Sequence, residues 1–383
     1  MIAYIKQQGS VVGREGRTLV VRKEDFKQTI FTHRLKQLVL MGGVMLTAPA
    51  VNLLCREGID TVFLTRNGNF KGRLEGLEQK NVFLHRRQFE SLNQPTFVLE
   101  CARSFVLGKL HNMITFIARL KRRYKQRSPE LMVGVVQNIR RLAEQARKCE
   151  DLNELRGYEG RGTRLFFEGY RNGFSGQLNF VKRVRRPPTD PVNSVLSLLY
   201  TMLFNRVHAA LRLAGLDPRI GYLHSLDYGR YSLALDLMEE FRSLVVETGT
   251  LSLFNLKILD EHDFFFEEAS QPAPDDPTCP GINDDPLGGF YENPDDGFFT
   301  APEQRVEEQP GADIEPQGKR PCRLKPDSLK RVLESFEDKV KAEFIHPATG
   351  RRLSYDDAMK FQARHLRAVL EGEQARYMPL QLK

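Results

Sequence analysis

The chain opens with short β-branched runs separated by turn residues. Ile2–Ile5, Ser10–Gly13, Thr18–Arg22, Gln28–Phe31 and Gln37–Leu40 are such runs, and they predict strands. Thr47, followed by Pro49, reads as the cap of a short helix through Leu53 and Leu54. Thr61–Leu64 returns to strand, and Arg66-Asn67-Gly68-Asn69 ends it in a tight turn. From about residue 95 the apolar period lengthens. Phe105, Leu110, Met113, Ile117 and Leu120 form one stripe of a helix expected over Ala102–Arg127, and a second helix, Pro129–Cys149, follows. Asp190 and Pro191 make a cap and first-turn pair for a long helix, Val192–Leu213, that is apolar over most of its surface and so expected to be buried. Helical pattern resumes at Ser328 and again over Tyr355–Leu370. The pattern thus predicts an α+β protein: a β-rich domain over 1–88, then an all-α domain over 89–267 and 319–383. Residues 268–318, rich in Pro, Gly, Asp and Glu and without an amphipathic period, read as a disordered insertion.

One stretch changes character midway. Gly221 to Tyr231 has glycines, aromatics and His224 but no helical period, and reads as a loop. From Ser232, a plausible N-cap, Leu233, Leu237, Phe241 and Leu244 recur at helical spacing. Asp236, Glu239 and Glu240 stand at i, i+3 and i+4, which predicts three carboxylates sharing the opposite side. An imidazole in a loop ahead of a carboxylate-bearing helix can supply mixed nitrogen and oxygen ligands to one divalent ion. The plainer reading is a set of solvated acids favouring the helix dipole.

Charge alters the picture more than composition does. The chain holds 57 basic and 49 acidic side chains, but residues 260–318 carry 17 Asp and Glu against one Arg. The remainder therefore holds 56 basic and 32 acidic groups, a body of net +24 that favours a polyanion such as nucleic acid. Five scattered cysteines form no Cys-x-x-Cys pair, which argues against a zinc knuckle or a disulfide framework. The uncharged run Leu38–Leu54 is 17 residues long and contains Gly42-Gly43, Thr47, Pro49 and Asn52, so a buried strand–turn–strand–helix passage is expected in place of a membrane span. The first residues carry no signal-peptide pattern, and a soluble, cytoplasmic protein is expected.

Two further stretches carry candidate chemistry. In Asn153–Arg164, Glu159 lies among Gly157, Gly160 and Gly162; the local reading is a glycine-rich turn with a surface glutamate, and the alternative is a site beside arginines. Lys182, Arg183, Arg185 and Arg186 form a basic run ahead of Pro187-Pro188.

Taken in order, Gly157-Tyr-Glu-Gly, Arg185-Arg-Pro-Pro-Thr-Asp-Pro-Val-Asn, Gly221-Tyr-Leu-His and Leu233-Ala-Leu-Asp-Leu-Met-Glu-Glu-Phe-Arg resemble the CRISPR-associated protein 1 family, the integrase-endonuclease of CRISPR spacer acquisition. The resemblance covers the chain apart from residues 268–318. It implies an N-terminal β domain that pairs two subunits into a homodimer and a helical catalytic domain. It also implies a Mg²⁺ or Mn²⁺ site made of Glu159, His224 and Glu239, with Asp236 either a second acidic group there or the third ligand itself. The implied reaction joins the 3′-OH ends of short double-stranded DNA fragments to the CRISPR repeat by transesterification. Lys109, Asn112, Lys182, Arg183, Arg185 and Arg186 are the candidate DNA contacts. The implied partners are CRISPR-associated protein 2 and a processing nuclease. A stand-alone structure-specific endonuclease and a catalytically silent DNA-binding scaffold are the alternatives.

Overall fold

The computed structural model describes residues 1–383 except 25, 75–80, 124–128, 176–177, 179, 185–186, 268–319 and 383. The expectation of a disordered insertion over 268–318 therefore lies outside the described residues. The described chain divides into two units between Arg86 and Arg87.

The first unit holds β1 (Ile2–Ile5), β2 (Val11–Glu15), β3 (Thr18–Lys23), β4 (Phe26–Phe31), β5 (Gln37–Met41), β6 (Met45–Leu46), α1 (Ala48–Arg56), β7 (Asp60–Leu64) and β8 (Phe70–Leu74). It builds two four-stranded sheets, β1-β5-β7-β8 and β4-β3-β2-β6. Strands β1, β5 and β7 run parallel, and β5 is buried throughout, as a central parallel strand of unbroken apolar sequence should be. Thr47 caps α1 by accepting from the Ala50 N–H, and Ala50, Leu53 and Leu54 pack on Val12, Leu19, Leu38 and Leu40. The run Leu38–Leu54 is thus a strand, a turn, a two-residue strand and a helix, as its glycines and Pro49 predict. The β7–β8 turn closes on Gly68, whose φ of 88° lies in the left-handed region that glycine adopts freely.

Helix α2 (Val82–Leu92) leads into the second unit, built from α3 (Pro95–Arg123), α4 (Pro129–Lys148), α5 (Leu152–Tyr170), α6 (Pro191–Leu213), α7 (Ser232–Met238), a π-helical turn over Arg242–Glu247, and α8 (Thr248–Asn255). After these come β9 (Phe264–Phe266), β10 (Cys322–Leu324), α9 (Pro326–Lys341), β11 (Glu343–Ile345), β12 (Arg352–Ser354) and α10 (Tyr355–Leu370). The α+β organisation holds, a strand-rich first unit followed by a mostly helical one, and the helical unit also carries two short antiparallel ribbons, β9–β10 and β11–β12. Helix α6 is the buried axis predicted for it, capped by Asp190, which accepts from the Asn193 N–H at 2.9 Å. Helices α3, α4 and α5 pack on one another, while α6 meets α7, α8, α10 and the π-helical turn.

The predicted glycine-rich turn at Gly157–Gly162 is instead the middle of α5. A Cβ on Gly162 would stand 2.3 Å from Leu110 Cδ2, and one on Gly169 would stand 2.9 Å from Ile117 Cδ1. These glycines let α5 approach α3 closely. Their loss of helix propensity is offset by packing, which outweighs propensity wherever an element is buried. No described helix is long and apolar enough to cross a membrane.

Candidate active site

Two helices and one loop meet at Lys109. Its ammonium, 1% exposed, contacts Glu159 Oε1 from α5 and lies 2.6 Å from Glu239 Oε2, just past the end of α7. The other oxygen of Glu239 accepts from Arg242 Nη1 at 2.7 Å. Glu159 Oε1 also accepts from Thr163 Oγ1 at 3.0 Å, one turn along the same helix. Burial alone would push the Glu239 carboxyl up, but Arg242, Lys109 and His224 together hold it well below the usual carboxylate range. Glu239 is therefore an anion in a nearly dry setting, and so in need of a permanent cationic partner.

His224 approaches from the loop ahead of α7. Its ring Nδ1 lies 2.7 Å from Asp236 Oδ1, and a carboxylate at that distance accepts a hydrogen bond, so Nδ1 carries a hydrogen and Nε2 is the ring nitrogen not engaged by Asp236. Asp236 does more than orient the ring. Its Oδ2 accepts from the backbone N–H of Tyr222 at 2.6 Å and of Leu223 at 3.0 Å, and its Oδ1 accepts from the His224 N–H at 2.9 Å. The loop is pinned further where Arg156 Nε donates to Leu223 O at 2.7 Å and Ser232 Oγ donates to Ser225 O at 2.7 Å. Ser232 is thus a tie to the loop and not the N-cap of α7 that its position suggests; the cap position is Tyr231 and makes no side-chain bond. Gly221 is required there, because a Cβ would fall 2.6 Å from the Ser232 backbone carbon.

The three carboxylates expected to share one side face three ways. Asp236 is fully buried against the loop, Glu239 turns to Lys109, and Glu240 turns to the segment Tyr377–Leu380. The cause is a change of helix type. Helix α7 ends at Met238, residues 239–241 form a turn, and Arg242–Glu247 winds as a π-helix, so the i, i+3, i+4 geometry does not hold across the junction. With all its acceptor capacity directed at the loop and at His224, Asp236 serves as the support of the histidine, and Glu239 is the carboxylate that faces Glu159.

Of the candidate DNA contacts, Lys109 lies inside this site and not on an outer surface. Asn112 is fully buried: its amide donates to Glu240 O at 2.9 Å and Leu380 O at 2.8 Å, and its carbonyl accepts from the Leu382 N–H at 3.0 Å. It ties α3 to the chain's last described residues and has no group left for a phosphate. Arg183 also turns inward, donating to Val184 O, Asn193 Oδ1 and Ser197 Oγ at 2.8–2.9 Å. Lys182 is exposed, and Arg185 and Arg186 lie outside the described residues.

Among the described residues no three His, Cys, Asp or Glu side chains are arranged to hold a metal ion. The chemistry of the donor set nonetheless fits one. A buried cation, the Lys109 ammonium, already stands between Glu159 and Glu239, and His224 is held on the adjoining loop by Asp236, three residues before Glu239.

A family model described as "CRISPR associated protein Cas1" matches residues 3–271. This chain belongs to the Cas1 family. A Cas1 relative from Thermus thermophilus, named CRISPR-associated endonuclease Cas1 3, is 30% identical over 385 residues, covering 100% of this chain and 97% of its own. Among solved structures, a chain of a Cas6-RT-Cas1–Cas2 complex matches with a TM-score of 0.76 at 21% identity, covering 100% of this chain and 36% of its own. A casposase bound to integration product matches with a TM-score of 0.75 at 17% identity, covering 98% and 92%. These structural likenesses concern the Cas1 fold.

Arg242, Thr163 and Arg156 did not emerge from the sequence as site residues. Arg242 stands three residues after Glu239, a spacing that pairs side chains on any helical turn, and it could have been singled out on that ground. Nothing local in the sequence relates Lys109 to Glu159, fifty positions away, so its place in the site is visible only in the fold.

Proposed function

We propose that this chain is the metal-dependent DNA integrase of CRISPR spacer acquisition, joining the 3′-OH ends of short DNA fragments to the CRISPR repeat. The observation that carries this reading is the convergence of Glu159 and Glu239 on one cation, with His224 held by Asp236 on the adjoining loop, in a chain of the Cas1 family. Glu159, Glu239 and His224 Nε2 would hold a Mg²⁺ or Mn²⁺ ion. Such an ion, when bound, polarises a phosphate and lowers the pKa of an attacking hydroxyl. The chain's own residues set the geometry for this. Asp236 holds the His224 tautomer that leaves Nε2 unprotonated, Thr163 and Arg242 fix the two glutamates, and the gradient of exposure orients the substrate. His224 and Glu159 side chains are 23% and 18% exposed, against 3% for Glu239, so DNA arrives from the histidine side.

Partners follow the same reading. The Cas6-RT-Cas1–Cas2 complex supports CRISPR-associated protein 2 as a companion, and the casposase bound to integration product supports an integration reaction, for which double-stranded DNA is the proposed substrate. Strand β4 is an edge of its sheet with Phe26 and Phe31 39% and 51% exposed, a surface suited to pairing a second copy. The cytoplasm, where such DNA resides, is the proposed compartment.

The test is a strand-transfer assay with a labelled fragment, a repeat-bearing plasmid, CRISPR-associated protein 2 and Mn²⁺. Glu159→Ala, His224→Ala and Glu239→Ala should each abolish transfer and leave DNA affinity within a few-fold, since affinity resides in dispersed phosphate contacts. Near-normal transfer by His224→Ala would refute the site. Hydrolysis of branched DNA without any joining would favour the stand-alone nuclease.

A further inference from the structure

Two cations hold Glu239, and they hold it differently. Arg242 belongs to the adjoining π-helical turn; its guanidinium carbon stands 4.5 Å from the centre of the Tyr200 ring while Nη1 donates to Glu239 Oε1. Tyr200 in turn donates to Glu247, so Arg242 is enclosed by groups of its own element and of α6. Lys109 reaches in from α3 on a flexible four-carbon stem and ends where Glu159 Oε1 and Glu239 Oε2 converge. Those two carboxylates would be among the groups holding a divalent ion, and Lys109 occupies the space between them.

Charge decides whether both can be there. The carboxylates of Glu159, Glu239 and Asp236 face the cations Arg242 and Lys109, so the metal-free set is close to balanced. Adding a dication while Lys109 stays would turn that balance into an excess of positive charge within a few ångströms, on the least solvated side of the site. We propose that Lys109 is an exchangeable counter-ion: its ammonium holds Glu159 and Glu239 together in the metal-free protein and is displaced from between them by the divalent ion. This rests on the metal-site reading above. The site then keeps its shape without metal because the carboxylates never face each other unpaired. Its metal affinity is lower than the ligand set alone would give, because each binding event breaks two buried ion pairs. Arg242 stays in place throughout.

The wild-type, full-length protein tests this directly. Lysine amines are acetylated with an N-hydroxysuccinimide ester, with and without saturating Mn²⁺, and the rate at each lysine is read by peptide mass spectrometry. Lys109 should be protected without metal and react severalfold faster with it, while Lys330, 65% exposed, reacts equally in both. An unchanged rate at Lys109 would overturn the inference. In a second measurement, Lys109→Met keeps a side chain of similar length and removes the charge. Calorimetric titration with Mn²⁺ should then give a Kd tighter by about tenfold or more, and the metal-free variant should melt below wild type. Equal or weaker Mn²⁺ binding by the folded variant would also overturn the inference and leave the metal site standing. No Mn²⁺ binding by wild type would remove the site itself and the inference with it.

Discussion

Asp236 and Glu240 flank Glu239, and neither shares its task. Asp236 binds three backbone N–H groups and the His224 ring, so its removal should unfasten the loop without removing a ligand. Support groups of this kind typically change activity 10–100-fold. Asp236→Ala should accordingly lower strand transfer by about that factor, where Glu239→Ala abolishes it; a loss as complete as that of Glu239→Ala would place Asp236 on the ion. Glu240 is buried and accepts from Tyr377 Oη at 2.5 Å, Leu380 N–H at 2.7 Å and Gln362 Nε2 at 2.9 Å. Burial nevertheless pushes its carboxyl up to about 7 from the ordinary 4.5, the donors pulling only part of the way back. Between those values the folded chain keeps a proton that the unfolded chain has released. The associated stability is therefore complete below pH 4.5 and lost as pH rises through 7. Glu240→Gln has no proton to release. Denaturant unfolding at pH 4.5 and 7.5 should show the difference between the two proteins shifting by about 3 kcal/mol toward the variant at the higher pH. A flat difference would mean that Glu240 ionises equally in both states. The sequence put these three acids on one helix and marked them for chemistry, but their separate duties depend on a change of helix type that apolar spacing does not reveal.

At the scale of elements, what was legible is what is local. Strands β1 to β5 and β7, α1 with its Thr47 cap, α6 with its Asp190 cap and α10 over Tyr355–Leu370 follow from periods and caps within a dozen residues, whereas β8 does not announce itself. Helix α5 departs from the turn that its glycines predict, because Gly162 and Gly169 answer to Leu110 and Ile117 on α3, about fifty positions earlier. Two substitutions separate propensity from packing. Gly157 has nothing within 4 Å of the position a Cβ would take, so Gly157→Ala should stabilise by up to about 1 kcal/mol through helix propensity alone. Gly162→Ala gains the same propensity but meets Leu110, and should destabilise by about 1–3 kcal/mol net of it, read as a lower Tm. If both raised the Tm, the close approach of α5 to α3 would be no constraint.

At the scale of the whole molecule, the separation of charge along the chain matters more than its total. The chain leaves the described fold at Glu267 and returns at Pro321, where the Glu267 N–H donates to Pro321 O at 3.0 Å and Phe266 pairs with Cys322 in the β9–β10 ribbon. The two ends of residues 268–319 are therefore already joined, and replacing the segment with a short Gly-Ser linker should leave the Tm within a few degrees. The substitution deletes most of the acidic block that opposes a body of net +24. A tethered polyanion acts at roughly millimolar effective concentration, enough to compete with weak, sequence-independent DNA contacts. The shortened protein should bind random duplex DNA more tightly than the full chain at low salt, and the two affinities should converge as salt rises, because screening weakens both the internal and the DNA contacts. Fluorescence anisotropy across a salt series measures this. Equal affinities at low salt would show that the acidic block does not contest the DNA surface.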